Sequence, residues 1–233
     1  MISIIAVNWH SYDFLQLLVE SIDRFTHVPY DLIVIDNSSN KQHVDKSEHI
    51  HVFPQDSNIG HGAGLNKGVE IALEKFEHSN LMFVDVDCHF LCSGWHNPFL
   101  KLKESGYLVI GGKGVPEKPI RPACMWISRE IAKDYDYRDT PGYKGHRITP
   151  KGFDVAIQAY YQMQKDKIPI KLIESCPNRY GTLNGEEFEI DGKSLIYHHW
   201  HGTHLMERGI DFPDDDLFYD RDLLFSKIPW RMP

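Results

Sequence analysis

The chain has 233 residues, 42% of them hydrophobic and 25% charged, which fits one soluble globular domain with room for a C-terminal extension. That composition excludes collagen-like, low-complexity and disordered chains. With 25 Lys and Arg against 33 Asp and Glu, the net charge of −8 argues against a nucleic-acid backbone as the main partner.

Ile2 to Asn8 is a short, β-branched apolar run, the pattern of a buried strand. Phe14, Leu17, Leu18, Ile22 and Phe25 then recur at helical spacing before Pro29. Asp31 to Asp36 predicts a second strand and His49 to Pro54 a third. The glycine-rich stretch from Asn58 to Gly68 opens a helix through Val69, Ala72, Leu73 and Phe76. Leu81 to Val84 is a fourth strand that ends in acidic residues. Further strands are expected over Leu108 to Gly112, Ala123 to Ser128 and Ile168 to Ile173. A helix is expected over Phe153 to Lys167, after a polar loop from Asp134 to Gly152. Ser194 to Tyr197 leads into HHWHGTH, and an acidic, aromatic tail follows from Asp211. Strand–helix alternation of this kind implies an α/β fold with a mostly parallel central sheet flanked by helices. Ligands of such sheets bind beyond the carboxyl ends of the strands. Asn8, Asp36–Asn37 and Asp85–Asp87 all stand at such ends.

Asp85-Val86-Asp87 is the sharpest of these features. In extended backbone, alternate side chains point the same way, so both carboxylates face one side. Two hard oxygen donors there suit Mg²⁺ or Mn²⁺. Asp36 could accept from a ribose hydroxyl or a base N–H, or close an Asx-type turn on its own backbone. Glycines at 60, 62, 64 and 68 either admit a ligand to a helix N-terminus or make a tight strand–helix turn. Asn66 and Lys67 are placed to touch a polar or phosphorylated group. His198, His199, His201 and His204 cluster around Trp200. One of those imidazoles could complete an ion's shell or meet a phosphate. Asp154 reads as a helix N-cap or as a general base. Trp95, Trp126, Trp200, Tyr160 and Tyr161 read as core or as sugar-stacking residues. The four cysteines, with no C-x-x-C, argue for reduced, buried thiols rather than disulfides or a zinc knuckle.

In order and spacing, these segments resemble the nucleotide-sugar glycosyltransferases of the GT-A fold, especially glycosyltransferase family 2. The motifs are SIIAVNWHSYDFLQLLVESI, VIDNSS, NIGHGAGLNKGVEIAL, LMFVDVD, RPACMWISRE, GFDVAIQAYYQMQKDKIPIKLI and YHHWHGTH. The resemblance implies a GT-A domain over residues 1–203, with a nucleotide-binding half over about 1–112 and an acceptor half over about 113–203. Residues 204–233 are then a C-terminal extension. Carried across, it makes Asn8 and Asp36 nucleoside contacts and puts Asn66 and Lys67 near the ribose or diphosphate. Asp85 becomes a donor or metal contact and Asp87 the direct metal ligand. His201, or else His198 or His199, becomes the late metal or phosphate contact, and Asp154 the base of an inverting transfer. Phe153 and Ala156 depart from the family's acidic E-D-x-D pattern. The implied partners are a nucleotide-sugar donor, a glycan or other hydroxyl acceptor and divalent Mn²⁺ or Mg²⁺, with no nucleic acid.

Two rival readings use the same residues: a metal-dependent phosphohydrolase or nucleotidyltransferase, and a non-catalytic nucleotide-sugar-binding module. No apolar run approaches the ~20 residues a membrane helix needs, and MISIIAVNWH lacks a basic leader region. The expected location is the cytoplasm, with peripheral membrane contact open.

Overall fold

The computed structural model describes residues 1–38, 48–114, 119–140, 154–177 and 185–199. β1 (Ile2–Asn8), β2 (Tyr30–Asp36), β3 (Ile50–Pro54) and β4 (Asn80–Val84) alternate with α1 (Tyr12–Phe25) and α2 (His61–Lys75). Then come β5 (Cys88–Phe90), α3 (His96–Glu104), β6 (Val109–Lys113), β7 (Ile120–Ser128) and α4 (Arg129–Ala132). The last elements are α5 (Ile157–Lys165), β8 (Ile170–Pro177), β9 (Gly185–Ile190) and β10 (Lys193–His199). No described helix is long and apolar enough to cross a membrane.

Among the described residues, ten strands form one sheet, in the order β3-β2-β1-β4-β7-β6-β8-β9-β10-β5. The expected α/β architecture holds, and the sheet is mixed. Parallel pairing is confined to β3-β2-β1-β4 and to β6 with β8. Elsewhere the pairing is antiparallel. The reason is local: β7 returns on β6, and β10 on β9, without the crossover helix that parallel neighbours need. Asp191 and Gly192, at φ 52° and 74°, form the two-residue turn between β9 and β10.

β1 shows why the strands read as unbroken apolar runs. Ile2, Ile4 and Ala6 enter the core beneath α1 and α3, while Ile5 and Val7 enter the core beneath α2 and α5. Both faces are covered, so neither carries a polar alternation. α2 comes close to β1 through its glycines. A Cβ on Gly68 would collide with Ile5, and one on Gly64 would lie 2.8 Å from the methyls of Val7. Arg129 closes the far end of α2, donating to the carbonyls of Ala72, Leu73, Phe76 and His78 at 2.5–3.3 Å. A cation over the terminal carbonyls also suits the helix dipole.

The order 3-2-1-4 places a switch point between β1 and β4, where connections leave in opposite directions and a crevice opens at the carboxyl ends. Asn8 ends β1, and Asp85 and Asp87 follow β4 directly.

Candidate active site

Asn8 and Asp36 are register partners at the ends of β1 and β2. Asn8 Nδ2 donates to Asp36 Oδ1 at 3.0 Å, and Tyr12 Oη donates to Asp36 Oδ2 at 2.8 Å. The Ser38 amide also donates to Asp36 Oδ1, at 3.1 Å, which is the Asx-type turn weighed above. Both side chains are buried, so this network braces the crevice from beneath.

Beyond β4, the D-x-D brings its two carboxylates to one imidazole. His198 Nε2 lies 3.5 Å from Asp87 Oδ1 and 3.6 Å from Asp85 Oδ2. His61, the first residue of α2, sets its Nε2 3.4 Å from Asp85 Oδ1. On its other side, His198 donates through Nδ1 to Glu186 Oε1 at 3.2 Å, and Arg121 Nε is 3.5 Å from the same oxygen. Strand register explains the grouping. His198 of β10 stands opposite Cys88 of β5 and opposite Glu186 of β9, so the three share one face. The His199 amide donates to the Asp87 carbonyl at 2.9 Å, tying β10 to the D-x-D backbone. The His199 ring points away from this face and meets buried His89 at 3.1 Å.

Burial opposes a charged His198, yet Asp87, Glu186 and Asp85 outweigh it and hold the imidazole at about 10. Burial pushes the Asp85 carboxyl up; His61 and His198 oppose that shift, and Asp87 and Asp154 add to it. Burial would also raise Glu186, but His198, Arg121 and the Ser175 hydroxyl bring it below its ordinary value. Cys88 is raised well above the usual thiol range by burial and by Asp85 and Asp87.

These residues fit a divalent ion. Asp87, Cys88 and His198 place one donor atom each within 4.8 Å of one another. Asp85 Oδ1 and His61 Nε2 are buried atoms that face each other at 3.4 Å and make no hydrogen bond to any described residue. Carboxylate oxygens suit Mg²⁺ or Mn²⁺, and an imidazole in the set favours Mn²⁺, since Mg²⁺ keeps to oxygen and water.

The other expected site residues lie as follows. Asp154 is close enough for its charge to act on Asp85. It is not the N-cap of α5, because the helix starts later, after Ala156 at φ 62°. The Asp154 Oδ1 instead accepts from the Val155 amide at 2.9 Å. Asn66 binds the 136–137 segment with both ends of its amide, donating to Asp136 at 2.8 Å and accepting from the Tyr137 amide at 3.0 Å. Lys67 pairs with Glu70 at 3.2 Å on the exposed side of α2 and makes no contact with Asp85 or Asp87 among the described residues. Gly62, Gly64 and Gly68 lie inside α2, where they admit the 137–138 backbone, Val7 and Ile5 rather than a ligand. Trp95 and Trp126 are core, and Tyr161 is exposed. His201, His204 and Trp200 lie outside the described residues.

Sequence reasoning missed His61, Cys88 and Glu186 as members of this cluster. Cys88 adjoins the D-x-D and His61 sits in the glycine stretch, so both had a signal. Glu186 had none, because β9 was not expected as a strand.

Residues 3–161 match the family described as Glycosyl transferase family 2. The chain belongs to that family. The matched residues run from β1 into α5 and take in the D-x-D and Asp154, but stop short of Glu186 and His198. No curated protein sequence is significantly similar to this family 2 chain. Similar solved structures include the mannosyltransferase PcManGT from Pyrobaculum calidifontis in complex with GDP-Man and Mn2+. It shares 10% identity over 57% of this chain and 46% of that one, with a TM-score of 0.44. S. aureus TarS 1-349 in complex with UDP-GlcNAc shares 18% identity over 57% and 46%, with a TM-score of 0.45. The chain matches less than half the length of either.

Proposed function

We propose that this chain is a metal-dependent glycosyltransferase that moves a sugar from a nucleotide-sugar donor to a hydroxyl of a glycan acceptor, with inversion. The observation that carries this reading is the convergence of Asp85, Asp87 and His198 at the switch point between β1 and β4. Family 2 membership supports the transferase class.

In this account Asp87 and His198 hold the ion and Asp85 faces both ion and donor. A bound Mn²⁺ supplies Lewis-acid charge against the developing diphosphate. The protein carries a net charge of −8, so an anionic donor needs a local positive site rather than a basic surface. Asn8 and Asp36 shape the nucleoside end of the crevice. Asn66 fixes the 136–137 segment against α2, and Lys67 offers a solvent-exposed cation beside it. Asp154 takes the proton of the attacking hydroxyl, and a base opposite the leaving group gives one displacement with inversion.

The test is a panel of nucleotide sugars incubated with the protein and Mn²⁺, with and without simple glycoside acceptors. Nucleoside diphosphate release that depends on acceptor, with an inverted anomeric proton in the product, supports the proposal. Release at the same rate without acceptor would move the phosphohydrolase reading ahead.

A further inference from the structure

We propose that Glu186 is a positioning residue that sets the tautomer and aim of His198, an inference that rests on the metal-site reading above. Glu186 lies beyond the residues that match the family, on a strand whose sequence carries three glutamates. Its partners among the described residues are His198, Arg121 and the Ser175 hydroxyl.

Its side chain is 2% exposed, and a buried carboxylate is costly unless it is paired. Arg121 could satisfy that requirement alone, yet Oε1 is shared between Arg121 Nε at 3.5 Å and His198 Nδ1 at 3.2 Å. An ionised carboxylate only accepts, so Nδ1 must carry the proton. Nε2 is then the nitrogen left for the side that faces Asp87 Oδ1 at 3.5 Å and Asp85 Oδ2 at 3.6 Å. The β9–β10 register fixes the arrangement, since Glu186 and His198 are direct cross-strand partners. Gly185 adds to it: a Cβ there would meet the ring of Tyr197 at 2.5 Å, so β9 lies tight against β10. A carboxylate behind a ligating imidazole raises its basicity and holds its ring, typically for 10–100-fold in metal affinity.

The experiment titrates Mn²⁺ alone into the full chain and follows the loss of the free-ion EPR signal. It uses the wild type, Glu186→Leu, Glu186→Ala, Glu186→Gln, His198→Ala and the double variant Glu186→Leu/His198→Ala. Melting temperatures report folding, and the two apolar variants guard against one failing to fold. Arg121 keeps 28% of its side chain exposed, so the cation left behind can reach water. We expect Glu186→Leu and Glu186→Ala to weaken Mn²⁺ by about 10–100-fold. Glu186→Gln, whose amide oxygen still accepts from Nδ1, should recover most of that loss. In the His198→Ala background, Glu186→Leu should add less than about twofold, because the residue it acts through is gone.

Full additivity in the double variant would overturn the inference, as would equal losses in Glu186→Gln and Glu186→Leu, which indicate a role confined to pairing Arg121. Wild-type protein that binds no Mn²⁺, or His198→Ala that binds it as the wild type does, would overturn the metal-site reading and this inference with it.

Discussion

His198 Nε2 comes within 3.5 Å of Asp87 Oδ1 because β10 is bonded to the chain directly after the D-x-D. The His199 amide grips the Asp87 carbonyl at 2.9 Å, and His198 faces Cys88 across the β10–β5 ladder. Residues far apart in the chain, Cys88 and His198, thereby share one face, and most of the expected chemistry follows from that.

Removing either member of the pair should abolish function. Asp87→Ala and His198→Ala are each expected to lower transfer at least about 10²-fold, in line with the loss of a group that acts on developing charge. Circular dichroism should confirm that both variants fold, while the melting temperature should fall, most in His198→Ala, which leaves Asp85, Asp87 and Glu186 without the cation they share.

Metal affinity should rise steeply with pH. His198 sits at about 10 in the metal-free protein, while ligation needs neutral imidazole, so at neutral pH each ion bound expels its proton. This one group predicts up to tenfold tighter binding per pH unit below about 10. Calorimetry in buffers of different ionisation enthalpy would read the released proton directly. The metal-free fold shows the opposite sign. A pKa raised from 6.5 contributes stability that is fully present below 6.5 and lost as pH rises through about 10.

Acid should destabilise the protein through the second histidine pair. Burial holds His89 at about 3, and burial with His89 and His198 keeps His199 well below its ordinary value. The unfolded chain binds protons at both sites once pH falls below 6.5, so stability drops from there towards 3. Urea midpoints between pH 7 and 4 should show the fall, and His89→Phe should flatten it.

Asp154→Asn separates chemistry from folding. Asn keeps an oxygen for the Val155 amide, which Asp154 meets at 2.9 Å, but cannot take a proton. Turnover should fall about 10²–10⁴-fold with donor binding retained. A variant with unchanged turnover would remove Asp154 from the base role.

The α2–β1 contact should behave as packing. Gly68→Ala puts a methyl into Ile5 and should cost about 1–3 kcal/mol by denaturant titration.

The parallel half of the fold was legible because its strands are apolar on both faces and its helices keep a 3.6-residue period. β9 was not. Glu186, Glu187 and Glu189 make it read as polar surface, yet all three are buried, and only tertiary partners such as His198 and Arg121 make that tolerable. α3 hid behind Pro98 and a stripe in which only His96 and Phe99 are buried. The Asp191-Gly192 dipeptide was a hairpin signal that went unread. In the site, the D-x-D and the late histidines could be named from sequence. That His198 meets the carboxylates depends on strand register, which no local pattern encodes.

Thermal unfolding against nucleoside diphosphates and nucleotide sugars, with and without Mn²⁺, tests the central claim most directly. A ligand at a hundred times its dissociation constant adds roughly 2.7 kcal/mol, or about 5–10 °C for a chain this size. The account predicts a shift that needs nucleotide and metal together and that disappears in Asp87→Ala. A folded protein whose melting temperature no nucleotide moves, with or without Mn²⁺, would contradict it.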